Sequence, residues 1–168
     1  MKKFDADTKI VSGLAAGVAS FNGGATTRGR RVKLARWDSL TIVATYEAIT
    51  GQGFTLSVEQ ADASTGGTRK AVDGLRFYYS LAPASDTDAI PDSVVAVDGD
   101  DSGALTVARA ALVYVEVTAD QLDVSGGFCW VNGAAARATN AAVDGCMTYI
   151  LRGARYAVDP PNAESVLT

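Results

Sequence analysis

The chain has no histidine among its 168 residues. That removes the commonest general base at neutral pH, the Ser-His-Asp and Cys-His nucleophilic systems, and most zinc and iron sites. Cysteine is nearly absent as well, with Cys129 and Cys146 alone. Two thiols without histidine make a poor zinc site. Each falls in an expected strand, so both are read as small buried hydrophobes, and a disulfide would require those two strands to pair directly. No apolar run approaches the roughly 18 residues of a membrane span. Residues 1–19 have the outline of a secretion leader, with Lys2 and Lys3 before an apolar stretch. Asp5 and Asp7 interrupt its basic part, and Ser12, Gly13 and Gly17 its apolar part, so secretion is not expected. Charged residues make up only 20% of the chain and the net charge is −4, which argues against a nucleic-acid binder that neutralises phosphates. Arg28, Arg30 and Arg31 form one local basic cluster, read as a solvated arm, with contact to an acidic partner surface as the other reading.

What is abundant is small. Glycine occurs 17 times, and the 48% hydrophobic content is rich in alanine, which suits tight β-packing. The length fits about one domain, large enough for a self-sufficient core. A surface of Ala, Thr, Ser and Gly favours association over independent solvation.

The central segment sets the fold class. Ser39-Leu-Thr-Ile-Val-Ala-Thr-Tyr46 and Phe54-Thr-Leu-Ser-Val-Glu-Gln-Ala-Asp62 alternate with the period of two that a half-buried strand requires. Leu40, Ile42, Ala44 and Tyr46 share one face, and Phe54, Leu56 and Val58 line the matching one. A polar turn follows, Ala63-Ser-Thr-Gly-Gly-Thr-Arg-Lys70. Further strands are expected at 32–34, 71–72, 75–81 (with Phe77 and Tyr79 opposing Tyr78), 94–97, 112–118, 128–131 and 146–152. Residues 83–91, acidic and with two prolines, read as a surface loop. Residues 104–111 would accept a helix, and 132–143 read as a long loop. About seven to nine strands separated by turn signals make an all-β protein, an antiparallel β-sandwich of jelly-roll-like form. The expected organisation is an extended N-terminal arm over 1–30, a sandwich domain over 31–158 and a C-terminal tail over 159–168. Deleting the arm tests whether it reaches a neighbouring subunit.

No residue of the sequence stands out as catalytic, cofactor-binding or metal-binding. Asp98, Asp100 and Asp101 are the densest carboxylates, in a Gly-rich turn where aspartate serves the backbone. Asp98-x-Asp100-x-Ser102-Gly103 reproduces the opening of an EF-hand loop, but Arg109 stands where the closing glutamate belongs. No GxGxxG opens a helix and no Walker lysine follows a Gly-rich loop. Trp37, Trp130 and the six tyrosines are expected to fill the core rather than to form a sugar-stacking platform.

Two further runs complete the pattern: Val113-Tyr-Val-Glu-Val117, and Thr118-Ala-Asp-Gln-Leu-Asp-Val124 followed by Gly126-Gly-Phe128. Together with 40–46, 54–61 and the Gly-Thr-Arg-Lys-Ala turn, they make residues 31–152 resemble small structural proteins of tailed-phage virions. The resemblance implies a capsid decoration (cement) protein, with the major capsid protein and further copies of itself as partners. It implies a place on the virion's outer surface after synthesis in the host cytoplasm, and neither enzymatic activity, cofactor, nucleic acid nor membrane. Capsid symmetry makes a trimer the expected oligomer. A tail or neck accessory protein is the nearest variant, and a carbohydrate- or surface-binding module is the alternative.

Overall fold

The computed structural model describes residues 8–14, 20–21, 26–46, 53–81, 94–99, 104–108, 110–137 and 143–154. In chain order the strands are β1 (Thr8–Leu14), β2 (Ser20–Phe21), β3 (Thr27–Arg28), β4 (Val32–Lys33), β5 (Trp37–Tyr46), β6 (Gly53–Ala61), β7 (Arg69–Ala71), β8 (Arg76–Leu81), β9 (Val94–Asp98), β10 (Ala104–Ala108), β11 (Ala110–Thr118), β12 (Trp130–Arg137) and β13 (Val143–Ala154). One 3-10 turn, Ala119–Gln121, follows β11.

All pairings are antiparallel, in two sheets. The larger runs β1-β13-β5-β11-β8-β9, with β2 beside β13; the smaller runs β10-β6-β12-β3, with β4 beside β12 and β7 beside β6. If β8 and β9 are set aside as an extension, and β2, β4 and β7 as short flanking pieces, the larger sheet is β1-β13-β5-β11 and the smaller β3-β12-β6-β10. That is the first, eighth, third and sixth strand facing the second, seventh, fourth and fifth. This interleaving is the jelly-roll wrapping of two Greek keys. The expected fold class is thus the observed one.

Alternation places the core. Leu40, Ile42 and Ala44 of β5, Val113, Val115 and Val117 of β11, and Met147, Tyr149 and Leu151 of β13 point inward from the larger sheet; Leu56, Val58, Val131 and Ala135 meet them from the smaller. Each is at most 1% exposed, and burying one such large aliphatic side chain contributes roughly 1.5–3 kcal/mol. β5 and β6, read in sequence as matching strands, lie in opposite sheets and face one another across the core. The side chains of Tyr46 and Phe54 lie outside the described residues.

Several local expectations are revised. Residues 104–108 form β10 rather than a helix, because pairing with β6 over Gly53–Ser57 satisfies their backbone and overrides alanine's helical preference. Residues 130–137 form a strand where a loop from 132 was expected. The small residues there are not a loop signal: a Cβ at Gly133 would meet Met147 at 3.0 Å and Ile42 at 3.2 Å, and Ala135 packs in the same core. β7 begins inside the run read as a turn. Within the span 1–30, Thr8–Leu14 lies extended along β13 as an edge strand of the chain's own sheet, and Val11 and Leu14 pack against the core. Residues 1–7, 15–19 and 22–25 lie outside the described residues, as do 155–168, which include the boundary at 158 and the tail.

Candidate functional site

Two turns at one end of the sandwich, far apart in sequence, are built as one unit. In the first, Asp62 caps the β6–β7 connection: its Oδ1 accepts from the Thr68 amide at 2.9 Å. Gly66 and Gly67 both hold a left-handed backbone (φ +62° and +63°), and a Cβ at Gly67 would sit 2.1 Å from that same Oδ1. The Gly-Gly pair is therefore required by the turn. In the second, the Asp123 carboxylate accepts from the Gly126 amide and the Ser125 hydroxyl, both at 2.9 Å.

Gln60 joins them. Its amide donates to the Ala71 carbonyl at 3.0 Å and its Oε1 accepts from the Asp123 amide at 2.9 Å. Lys70 bonds the Asp123 carboxylate and rests 4.4 Å from the centre of the Phe128 ring, and the Cys129 amide donates to the Ala61 carbonyl at 3.2 Å. Hydrogen bonds from Lys70, Gly126 and Ser125 hold the Asp123 carboxyl down at about 2. Two of the runs quoted for the sequence resemblance, the Gly67-to-Ala71 turn and 118–128, thus meet in one clasp. Sequence reading missed Gln60. Its signal was a polar residue in phase with Leu56 and Val58, an inward position that calls for satisfied hydrogen bonds.

Beside the clasp, the outer face of the smaller sheet is basic. A groove of about 440 Å³ runs between Arg28, Glu59, Arg69 and Lys70, and a second of about 250 Å³ opens between Arg30, Arg31, Ser64, Thr65 and Arg69. Arg28 pairs with Glu59 at 2.9 Å, and that hydrogen bond raises the guanidinium's pKa. Burial pushes the Glu59 carboxyl up, but the bonds from Arg28 and Asn132 outweigh it and leave it below its usual range. Arg31 is no solvated arm. It is 8% exposed, and its Nη1 donates to the carbonyls of Ala63 and Gly66 at 2.5 and 2.7 Å. Its Nη2 is buried with no partner. Arg30 is exposed, as expected of the cluster.

The larger sheet's outer face differs. Across five strands the register aligns Ser12, Thr148, Val43, Tyr114 and Tyr78 in a row without a charge, the last four half-buried and Ser12 exposed. Tyr78 and Tyr114 stack with centroids 5.0 Å apart and planes 10° from parallel. Trp37 and Tyr149 lie in the core as expected, whereas Trp130 is buried outside the core cluster, with Lys33 over its ring, and Tyr78 and Tyr114 are half-buried on the outer face. Cys129 and Cys146 are unpaired and half-buried rather than core residues; the Cys146 thiol lies 2.9 Å from the Thr45 hydroxyl. Asp98 is the exposed end of β9, while Asp100, Asp101 and Arg109 lie outside the described residues. Among the described residues no three potential metal ligands come together, and no helix is long and apolar enough to cross a membrane.

No family model and no curated protein matches the chain. Among solved structures, the crystal structure of SPBc2 prophage-derived protein YomS superposes with a TM-score of 0.49 at 11% identity, covering 88% of this chain and 94% of that one.

Proposed function

We propose that the chain is a structural protein of a tailed-phage particle, a decoration protein seated on the outer surface of the head. The observation that carries this reading is the uncharged row Ser12-Thr148-Val43-Tyr114-Tyr78 across five strands. It gives an uncharged strip across the sheet, bordered by exposed Glu116 and Arg76, with little charge to desolvate along it and so suited to adhesion to another protein. The sequence resemblance adds the phage context. The jelly-roll fold is compatible with this role but does not select it, because unrelated functions share it.

Repeated identical sites on a shell multiply weak contacts, raising overall binding by about 10² to 10⁴ over one contact. The test is co-sedimentation of the purified chain with isolated heads and, separately, isolated tails. Saturable binding to heads alone is expected; binding to tails alone would move the protein to the tail or neck. The alternative, a carbohydrate-binding module, draws on the Tyr78–Tyr114 pair. Those rings already cover one face of each other, so that reading rests on one exposed face per ring, and binding on a glycan array would favour it.

A further inference from the structure

Arg31 is a nearly buried cation, 8% exposed, and among the described residues no carboxylate pairs with it. Its Nη1 donates to the carbonyls of Ala63 and Gly66, and its Nη2 is buried with no acceptor. Burial disfavours its charged form, and the neighbouring charge of Arg69 adds to that, together outweighing the pull of Glu59 and Asp62. Both acids are held by other donors: Glu59 accepts from Arg28 and Asn132, and Asp62 from the Thr68 amide. Arginine keeps its proton even in such a place, and a buried charge without a counterion is costly.

This charge borders the cleft of about 250 Å³ between the β3–β4 and β6–β7 connections, walled by Arg30, Arg31, Ser64, Thr65 and Arg69. Among the described residues no acidic side chain lines it. Arg30 and Arg69 are exposed and form no ion pair, and the hydroxyls of Ser64 and Thr65 form no hydrogen bond. Cations and hydroxyl donors thus converge from both connections without a protein acceptor to meet them. The turn that carries Ser64 and Thr65 is fixed by the left-handed Gly66-Gly67 pair and the Asp62 cap. Its backbone is therefore set before anything binds, which lowers the ordering cost of binding.

We propose that this cleft binds a tetrahedral oxyanion, a phosphate or sulfate group, held by hydrogen bonds from Arg30, Arg69, Ser64 and Thr65 and neutralising Arg31 through space. Three guanidinium charges match a dianion better than a monoanion. Donors arriving from both connections suit oxygens that point four ways better than the two in-plane oxygens of a carboxylate. The cleft is smaller than the roughly 300–1,000 Å³ of sites for drug-sized molecules, which limits the bound part to a small ion or one head group. The net charge of −4 disfavours a nucleic-acid backbone as the source, so the group is the free ion or one carried on a small molecule. The site lies on the smaller sheet, so it stands or falls independently of the adhesive row on the larger.

The test titrates the full chain near neutral pH with inorganic phosphate, sulfate and acetate, at an ionic strength held constant with chloride. Calorimetry and the thermal unfolding midpoint are read together. Saturable binding of about one phosphate per chain is expected, with sulfate comparable and acetate at least tenfold weaker. Glycerol phosphate separates the sources: affinity like that of the free ion assigns a carried phosphate, no binding assigns the free ion, and each upholds the site. Arg30→Gln/Arg69→Gln removes two exposed donors and should weaken phosphate binding at least tenfold, about the loss of one charge-assisted hydrogen bond. Arg36→Gln/Arg152→Gln removes the same exposed charge outside the cleft and should bind as wild type does, with circular dichroism confirming the fold of both variants. No saturable binding by either readout, acetate binding as tightly as phosphate, unchanged affinity in the Arg30/Arg69 variant, or an equal loss in the Arg36/Arg152 variant overturns the proposal.

Discussion

The phenol of Tyr149 crosses from the larger sheet to the smaller and ties the two together. Its oxygen accepts from the Gly133 amide at 2.9 Å, and burial pushes its pKa well above the ordinary range. A Cβ at Gly13 would meet the ring at 2.5 Å, and one at Gly29 would meet the hydroxyl at 2.2 Å. The same glycines carry the backbone bonds that stitch the edge, Arg30 amide to Gly13 carbonyl and Gly29 amide to Gly133 carbonyl, both 2.9 Å. Tyr149→Phe leaves a buried amide without an acceptor, so it should cost about 1–3 kcal/mol in urea unfolding with the fold retained. An unchanged unfolding midpoint would contradict this. The Asp123 carboxylate makes a second prediction at this scale. Its pKa falls from 3.8 to about 2 on folding, so its contribution is full above pH 3.8 and is lost as pH falls through about 2. Asp123→Asn should flatten that part of the acid-unfolding curve. The same acid dependence in wild type and variant would place the titrating group elsewhere.

At the scale of elements, most strands were legible because alternation survives in them: Leu40-x-Ile42-x-Ala44 and Val113-x-Val115-x-Val117 are inward rows in both readings. β12 was not legible beyond Val131, because Gly133, Ala134 and Ala135 are small for close packing, and small residues look like loop in a sequence. β1 was missed for a related reason. Its inner contacts come from Val11, Leu14 and the missing side chain of Gly13 rather than from a large apolar row. Deletion of residues 1–14 therefore uncovers β13 and Tyr149. It should lower the melting temperature by about 10 °C, a loss of several kcal/mol at 2–4 °C each; a chain that melts as before would return this segment to the status of a free arm. The outer row gives the corresponding functional prediction. Thr148→Lys with Tyr114→Lys adds charge to that face while leaving the core intact. Far-ultraviolet circular dichroism should be unchanged and head binding should fall at least tenfold. Unchanged binding would remove the row from the contact.

At the scale of the whole molecule, the sandwich was readable from period and turn spacing, whereas the clasp and the basic cleft were not. Each brings together residues more than thirty positions apart, Arg31 with Ala63 and Lys70 with Asp123 among them, and no local pattern encodes such a meeting. What the sequence did carry was Gln60 in an inward phase, and three arginines within four residues. The fold turns these into a tied turn with basic grooves beside it. Adhesion to the outside of a phage head is tested most directly by electron cryomicroscopy of the particles produced from the genome encoding this chain. Two-sheet density is expected at symmetry-related positions on the head exterior, with the Ser12-to-Tyr78 face turned to the shell. Particles whose heads carry no such density would contradict it.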